Sequence, residues 1–270
     1  METIKVALMG VGRTGSLVAK SLIDHKLKVV AAFAAPKDSA VGKDIGVLAG
    51  AAETGVKVSS SSDLAKVLDK TRPDVLVDFT NAEAFMANMD AIAERRVNMV
   101  VGTTGFTESQ NEKIKRTAKE KGVGVVLSPN MSVGVNVFWR LCGEAAKSLI
   151  GYDVEVIDKH HRFKKDAPSG TALKAAKVIA EAQGLKQEDF VYGRRGKTLR
   201  NDKEIGIHAI RAGNIVGEHT VIFASQTERV ELTHIAHSRE AFAEGVPKAV
   251  EFIKGRKGLY GMDDVLNLKH

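Results

Sequence analysis

The sequence predicts an α/β protein in which a doubly wound parallel sheet is followed by a C-terminal α+β domain with a mixed or antiparallel sheet. Three observations support this: a glycine-rich turn near residue 10, alternating strand and helix patterns as far as residue 128, and strands of alternating polarity from residue 153 onwards. Alternating βα units form parallel sheets with helices on both faces. Apolar and polar residues that alternate at a period of two are typical of antiparallel strands with one covered face.

The first part of the chain alternates short apolar runs with longer stretches of helical period. Pro36 interrupts regular backbone after the second run, which predicts a loop over residues 34–44. Strands are predicted over residues 4–9, 28–33, 74–79, 98–101 and 124–128. Helices are predicted over residues 15–24, 82–95 and 109–121.

From residue 132 the pattern changes to a long helix followed by strands of alternating polarity. The helix over residues 171–183 would cover one face of this sheet and leave the other to a second subunit. The tail, with Leu259, Tyr260 and Val265, is expected to return to the first domain. Helices are predicted over residues 132–149, 171–183 and 239–255, and antiparallel strands over residues 153–159, 205–212, 218–225 and 229–236.

Composition excludes several classes of protein. The 270 residues include 44% hydrophobic ones and carry a net charge of +7, which is ordinary globular composition. The single cysteine, Cys142, cannot form an internal disulfide, so we expect a cytoplasmic protein. No apolar stretch approaches the roughly 20 residues of a membrane helix, so no membrane partner is expected. Few aromatic residues can stack on bases, and this favours a small anionic ligand over nucleic acid.

The glycine-rich turn has the pattern G-x-G-x-x-G between a predicted strand and a predicted helix, which is typical of a Rossmann-type dinucleotide site. The first glycine permits a tight turn, the second lets a pyrophosphate approach the backbone, and the third lets the helix pack close to the strand. An ordinary strand-to-helix turn is the alternative. The candidate cofactor residues here are Gly10, Val11, Gly12, Arg13, Thr14 and Gly15.

The second strand ends at Ala34, where NAD sites usually carry an acidic residue for the ribose. Lys37, together with Arg13, can neutralise a 2′-phosphate, so we expect NADPH to serve at least as well as NADH. A merely solvated Lys37 is the alternative. Two later turns follow strand ends, where an open α/β sheet binds its ligand. They add Gly102, Thr103, Thr104, Ser128, Pro129, Asn130 and Met131 as cofactor candidates.

The most informative segment is residues 158–172, which concentrates cationic and titratable groups and then begins a helix. A histidine of this segment can supply a proton at neutral pH, and a lysine can stabilise developing negative charge or donate a proton. The helix start at Ser169, Gly170 and Thr171 suits a carboxylate and would be faced by cationic side chains, which implies a small acid with more than one carboxylate. A solvated basic loop and structural histidines are the alternatives. No C-x-x-C or H-E-x-x-H pattern occurs, so no metal is expected.

These motifs resemble those of the dihydrodipicolinate reductases of lysine and diaminopimelate biosynthesis. The resemblance covers the whole chain. It includes the glycine loop, Val77-Asp-Phe-Thr80, Val101-Gly-Thr-Thr-Gly105, Asn130-Met-Ser-Val-Gly-Val-Asn136, the block from His160 to Ala172, Arg211-Ala-Gly-Asn-Ile-Val-Gly-Glu-His219 and Glu231-Leu-Thr-His234. The glycine loop departs from the family, which usually has one more residue and a methionine where this chain has Thr14. Ala34 departs too, because family members commonly have an acidic residue there.

The resemblance implies a homotetrameric NADH- or NADPH-dependent reductase whose product is tetrahydrodipicolinate. It implies that His160 donates or accepts a proton, that Lys164 donates one, and that His161 and the Gly170 and Thr171 amides bind substrate carboxylates. The expected domains are residues 1–130 for the dinucleotide, completed by 240–270, and 131–239 for substrate binding and oligomerisation. A paralogous reductase of another cyclic imine acid, or a non-catalytic nucleotide sensor or nucleic-acid binder, are the competing interpretations.

Overall fold

The computed structural model describes residues 3–268, which form two compact units. The first unit runs to Ser132 and resumes at Phe242, and the second is Val133–Ala241. No helix in the described part of the chain is long and apolar enough to cross a membrane.

The first unit contains a seven-stranded parallel sheet in the order β12-β6-β5-β4-β1-β2-β3. Its strands are β1 (Lys5–Met9), β2 (Lys28–Ala34), β3 (Val58–Ser60), β4 (Val75–Asp78), β5 (Asn98–Val101), β6 (Gly124–Leu127) and β12 (Gly258–Tyr260). Its helices are α1 (Arg13–Asp24), α2 (Ile45–Leu48), α3 (Leu64–Thr71), α4 (Ala82–Glu94), α5 (Glu108–Lys121), α8 (Gly245–Ile253) and α9 (Met262–Val265).

Each face of this sheet has its own apolar core, as a doubly wound sheet requires. Helices α1 and α8 bury residues such as Leu22 and Val250 on one face. Helices α3, α4 and α5 bury Leu68, Phe85 and Ile114 on the other. The predicted Rossmann-like architecture is therefore confirmed.

The second unit contains a five-stranded mixed sheet in the order β11-β10-β7-β9-β8, with helices α6 and α7 packed on one face. Strand β7 lies in the centre and runs antiparallel to β10 but parallel to β9. The elements are α6 (Val133–Ser148), β7 (Asp153–His160), α7 (Gly170–Gln183), β8 (Phe190–Tyr192), β9 (Ile205–Arg211), β10 (Glu218–Ala224) and β11 (Arg229–Ile235).

Two local expectations are wrong. Strand β9 was expected to be antiparallel, but the chain between β7 and β9 carries helix α7, crosses over and returns in the same direction. The expected helix over residues 239–255 is divided into a 3₁₀ turn, Arg239–Phe242, and α8. Pro247 causes the division, since it cannot donate a hydrogen bond to the carbonyl of Ala243 and its ring would clash there in a continuous helix.

Candidate active site

The carboxyl ends of the parallel strands in the first unit surround a cavity of about 270 Å³. Ligands of open α/β sheets bind at this edge, so the cavity is the cofactor candidate. Residues from three predicted turns line it, together with three residues that were not predicted. The predicted ones are Thr14, Gly102, Thr103, Thr104, Pro129, Asn130 and Met131, and the others are Phe79, Thr80 and Phe242. Ser128 is buried next to this lining, and its hydroxyl donates to the Asn130 carbonyl at 2.8 Å.

The three glycines of the first turn differ in how their surroundings would accommodate a side chain. Gly10 has φ +91°, and a Cβ there would lie 2.5 Å from the Phe79 carbonyl oxygen. A Cβ at Gly15 would lie 1.8 Å from the Gly10 carbonyl oxygen, whereas no atom lies within 4 Å of a Cβ at Gly12. Gly10 and Gly15 are therefore required by the turn itself, and the space at Gly12 is left open.

Helix α1 begins at this turn without a side-chain cap. Gly12 is its N-cap residue, and its first turn contains no acidic residue. By contrast, Asn81, Thr107 and Ser169 cap α4, α5 and α7 with their side chains. An uncapped helix N-terminus with exposed backbone attracts a phosphate through its N–H groups and its dipole. The residues present thus fit a dinucleotide, with Val11 buried below the turn and Arg13 and Thr14 exposed.

The second strand ends in a buried Ala34, and the chain then turns, with the Asp38 N–H donating to the Ala35 carbonyl. Asp38 Oδ1 in turn accepts the Ala40 N–H at 2.8 Å, so this acid is used to hold the turn. Lys37 is exposed within the turn. At this strand end, therefore, the cation Lys37 is exposed, whereas the neighbouring acid Asp38 is hydrogen-bonded to the backbone.

Asp78 links two of the turns around the cavity. Its carboxylate is fully buried and accepts the Thr103 hydroxyl at 2.6 Å and the Thr80 hydroxyl at 2.9 Å. Burial raises the pKa of Asp78 to about 6, although the donors from Thr103 and Thr80 oppose it. The carboxylate holds the turn after β4 against the turn after β5.

Asp78 is expected to make stability fall as the pH rises. Because its pKa is raised in the folded state, its contribution is present below the unfolded value of 3.8 and is lost as the pH rises through about 6. Asp78→Asn removes this titration. From pH 4 to pH 7 the unmodified chain should lose up to about 3 kcal/mol of unfolding free energy through this titration, and the variant should not. Urea denaturation at several pH values across this range measures the unfolding free energy of both proteins. If the two plots of unfolding free energy against pH stay parallel, Asp78 does not have this role.

In the second unit, Asp158 is the centre of a buried polar cluster at the end of β7. Inward-facing positions of β7 alternate Val154, Val156, Asp158 and His160, so the acid occupies a core position. His160 Nδ1 lies 2.7 Å from Asp158 Oδ1. Asp158 Oδ2 accepts the Ser169 N–H at 2.7 Å and Arg211 Nη2 at 3.0 Å.

Ser169 joins this cluster to the N-terminus of α7. Its hydroxyl accepts the Ala172 N–H at 3.2 Å as the helix cap and lies 3.1 Å from His219 Nε2. Gly170 is exposed and Thr171 is half-buried in the first helical turn. The N-terminus of α7 is thereby fixed to β7 and β10 within the same unit, and its first turn lies next to the cluster.

Charge in the cluster is concentrated on Asp158. Burial alone would raise the pKa of Asp158, but the close approach of His160 and the hydrogen bonds from Ser169 and Arg211 outweigh it and hold this pKa below its usual range. Burial lowers the pKa of His219 to about 3, despite the opposing charge of Asp158. Asp158 is therefore ionised and His219 neutral at neutral pH.

The loop between β7 and α7 carries the remaining predicted residues. Lys164 is about one-fifth exposed, and its Nζ lies 2.9 Å from Asp166 Oδ2. His161 is half-buried, and its carbonyl accepts the Lys164 N–H at 3.1 Å. Arg211 donates to the Asp166 carbonyl at 2.7 Å as well as to Asp158, so one guanidinium fixes the loop to the cluster.

Comparison with known proteins agrees with both units. The family model described as "Dihydrodipicolinate reductase, N-terminus" matches residues 4–131, and "Dihydrodipicolinate reductase, C-terminus" matches residues 134–266. The chain belongs to the dihydrodipicolinate reductase family.

Relatives of this reductase family match the chain over nearly its whole length. The 4-hydroxy-tetrahydrodipicolinate reductase of Methanocaldococcus jannaschii is 49% identical over 98% of both chains. The enzyme of the same name from Methanosarcina barkeri is 48% identical over 98% of this chain and 100% of its own. The dipicolinate-bound dihydrodipicolinate reductase from Paenisporosarcina sp. TG-14 superposes with a TM-score of 0.78 at 25% identity, covering 97% of this chain and 99% of that one.

Membership of the reductase family makes the chain an NAD(P)H-dependent oxidoreductase, and NADH or NADPH is its cofactor. The paralogous alternative is not favoured, because relatives that share nearly half of the sequence carry one name. The interpretation as a non-catalytic sensor or nucleic-acid binder likewise finds no support in these matches.

Three residues of the cluster were missed as site residues: Asp158, Arg211 and His219. The sequence did contain a signal for Asp158. An acid at an inward-facing position of an alternating strand is costly to bury unless it is paired, so its presence there indicates polar partners. Arg211 and His219 come from β9 and β10, and nothing local in the sequence joins them to β7. Both occur in motifs that carry the family resemblance, but those motifs do not indicate what the side chains contact.

Among the described residues, Asp158, His160 and His219 also form a set whose potential ligand atoms lie within 4.8 Å of one another. The sequence showed no metal motif because these residues come from two strands. The second oxygen of Asp158 already accepts a guanidinium and a backbone N–H, so its charge has partners within the chain. The expectation that no metal is needed stays a prediction.

Proposed function

We propose that the chain reduces dihydrodipicolinate, formed from 4-hydroxy-tetrahydrodipicolinate, to tetrahydrodipicolinate in lysine biosynthesis. The observation that carries this proposal is the buried Asp158–His160 pair next to the N-terminus of α7, in a chain of this reductase family. The dipicolinate-bound relative supports a dicarboxylic substrate of this kind.

The reaction needs one hydride and one proton for each carbon–carbon double bond reduced. A nicotinamide cofactor supplies the hydride when bound and leaves as its oxidised form. Starting from the 4-hydroxy compound, one water molecule is also lost. The chain must therefore bind two anionic ligands, exclude competing water and deliver one proton to the carbon next to the new C–H bond.

We assign proton delivery to His160 and Lys164. Asp158 holds Nδ1 of His160, so the other ring nitrogen is the atom that exchanges the proton with the substrate. Lys164 adds a second donor and a positive charge that stabilises the electron-rich intermediate. His161, Ser169, Gly170 and Thr171 would bind the substrate carboxylates, because a helix N-terminus attracts anions.

Cofactor binding is assigned to the first unit. The uncapped N-terminus of α1 would hold the pyrophosphate through the turn at residues 10–15. The cavity at the strand ends would hold the nicotinamide half, with Gly102, Thr103, Thr104 and residues 128–131 around it. Ala34 and Lys37 would meet the adenosine ribose.

The assay that tests this function couples the chain to dihydrodipicolinate synthase, which makes the substrate in situ from pyruvate and aspartate semialdehyde. Loss of NADPH or NADH absorbance that depends on both proteins, with tetrahydrodipicolinate identified by mass, is the expected result. If the chain binds either cofactor but does not oxidise it in this assay, the assigned substrate is refuted and the interpretation as a paralogous reductase is favoured instead.

Lys37 is expected to favour NADPH. Lys37→Ala should lower the ratio of kcat/KM for NADPH to that for NADH by about tenfold, since a hydrogen bond to a charged group contributes about 1.5–3 kcal/mol. Steady-state kinetics with both cofactors measure this ratio. Lys66→Ala, which removes an exposed lysine from helix α3, is the control and should leave the ratio unchanged. An unchanged ratio in Lys37→Ala would exclude Lys37 as the selector.

We infer that copies of the chain associate as a homotetramer through the face of the second sheet opposite α6 and α7. Ile210 and Ile235 lie on this face and are 43% and 48% exposed. Ile157 and Ile222 lie on the same face. Light scattering is expected to give four times the 29.0 kDa mass of one chain, and Ile235→Lys should reduce that mass. A monomer at assay concentration would contradict this assembly. The proposed location is the cytoplasm, since the single cysteine, Cys142, cannot form an internal disulfide and the chain needs no oxidising compartment.

A further inference from the structure

Asp158 is a fully buried acid that the assigned chemistry uses only through its contact with His160. A buried carboxylate is costly unless it is paired. Both oxygens of Asp158 have polar neighbours, but only Oδ2 accepts hydrogen bonds within the described residues, whereas Oδ1 has close histidine nitrogens without a hydrogen bond. Oδ1 lies 2.7 Å from His160 Nδ1 and 3.5 Å from His219 Nε2. Oδ2 accepts the Ser169 N–H and Arg211. Each of these contacts leads to a different element of the second unit.

We propose that Asp158 is the positioning residue of the active site: it fixes the ring and tautomer of His160 and anchors the N-terminus of α7 through Ser169. This inference rests on the proposed function, because it gives Asp158 a role through His160. Asp158 does not touch the substrate in this scheme.

The effect on His160 follows from the Nδ1 contact. A carboxylate oxygen 2.7 Å from Nδ1 favours a proton on that nitrogen by its negative charge, and it leaves Nε2 as the nitrogen that faces the reaction. It also prevents rotation of the ring, which otherwise has two broad orientations. Without the carboxylate, the proton can move to Nε2 and the ring can turn, so the reactive nitrogen is no longer defined.

The effect on α7 follows from the Ser169 N–H. This bond fixes the cap residue to β7, and the Ser169 hydroxyl then caps the helix at Ala172. Arg211 ties the same carboxylate to the loop that carries Lys164. The buried carboxylate of Asp158 therefore fixes three groups relative to one another: His160, the loop that carries Lys164, and the N-terminus of α7.

A double-mutant cycle tests this inference. Asp158→Asn should lower kcat by about 10- to 100-fold, the range found when the hydrogen-bonding partner of a metal-bound histidine is lost. If Asp158 acts partly through His160, the loss from Asp158→Asn should be smaller in a chain that already carries His160→Gln, so that the two losses are less than multiplicative. A residual loss is expected, because Asp158 also anchors Ser169 and, through Arg211, the loop that carries Lys164. Asp158→Glu, which keeps the carboxylate, should recover part of the activity. Cofactor KM should stay unchanged in all variants.

The matched control is Asp74→Asn in the first unit. Asp74 also accepts a backbone N–H, that of Lys5 at 2.8 Å, and faces a cation, Lys254 Nζ at 3.7 Å. It precedes β4, away from the cofactor edge of the sheet. Its loss should alter stability but leave kcat within about twofold, as expected for a surface ion pair.

A second measurement needs no variant at the acid. Nitrogen-15 spectra of histidine-labelled protein, with the His160 signal assigned by its absence in His160→Gln, report the tautomer. A protonated Nδ1 supports the inference. An unprotonated Nδ1 at neutral pH overturns it, even if Asp158→Asn fails to fold.

The outcomes separate the inference from the proposed function. If His160→Gln alone turns over normally, the assigned role of His160 fails, and the role of Asp158 fails with it. If His160→Gln is slow and the two losses multiply, only the inference about Asp158 is overturned. If chelation abolishes wild-type activity and Zn²⁺ restores it, Asp158, His160 and His219 are metal ligands and positioning by hydrogen bonds is refuted.

Discussion

His160→Gln is expected to lower kcat by 10²- to 10⁴-fold while cofactor affinity changes little. Glutamine has about the size of histidine and can hydrogen-bond, but it cannot deliver a proton at neutral pH. Well-placed acid–base catalysis typically contributes this range. Lys164→Ala should lower kcat too, because it removes the second donor and the charge near the developing electron density. Coupled assays and cofactor titrations together measure the two effects.

The control for this prediction is His25→Gln. His25 is exposed at the end of α1, where its Nδ1 lies 2.8 Å from the Ser21 carbonyl, and it has no place in the proposed chemistry. Its turnover should equal that of the unmodified chain. Normal turnover in either His160→Gln or Lys164→Ala would remove that residue from the mechanism and leave proton delivery to the other.

Gly15→Ala is expected to destabilise the first unit strongly and to abolish cofactor binding. A Cβ at residue 15 would meet the Gly10 carbonyl oxygen at 1.8 Å, so α1 must move away from β1. Overpacking of this kind typically costs 1–3 kcal/mol or more. Denaturant unfolding should show the lower stability, and fluorescence titration with NADPH should show the lost binding.

Gly12→Ala is the matched comparison, because no atom lies within 4 Å of its added Cβ. Its stability should stay within about 0.5 kcal/mol, which is the range of substitutions that disturb no packing. Cofactor affinity should nonetheless fall, since the methyl group occupies the side from which the pyrophosphate would approach. Equal stability of the Gly12 and Gly15 variants would contradict the packing argument, and unchanged NADPH affinity in Gly12→Ala would refute the phosphate site at α1.

Much of the fold was predictable because its central strands are continuous apolar runs. Strands β1, β4, β5 and β6 are buried on both faces, and such runs are recognisable without alternation. Strands β3, β8 and β12 have three residues each, too few for any periodic signal, and they were not predicted. Their pairing depends on neighbours that are distant in the sequence.

The candidate site was predictable where function is local in the chain. His160, Lys164 and the helix start at Ser169 lie within one short block, and the glycines of α1 lie within another. Phe242 was not predictable, because the chain reaches the cavity lining only after the whole second unit. Arg211 was likewise hidden, since its two acceptors depend on the parallel pairing of β9 with β7.

The division of the first unit between the two ends of the chain has a consequence for protein synthesis. Strand β12 pairs with β6, yet it is synthesised only after the whole second unit. The second unit is one continuous segment and can fold before residues 242–268 have left the exit tunnel. The second unit of the nascent chain can therefore fold before the first unit is complete. Proteolytic removal of residues 242–268 would remove β12, an edge strand that no earlier segment replaces.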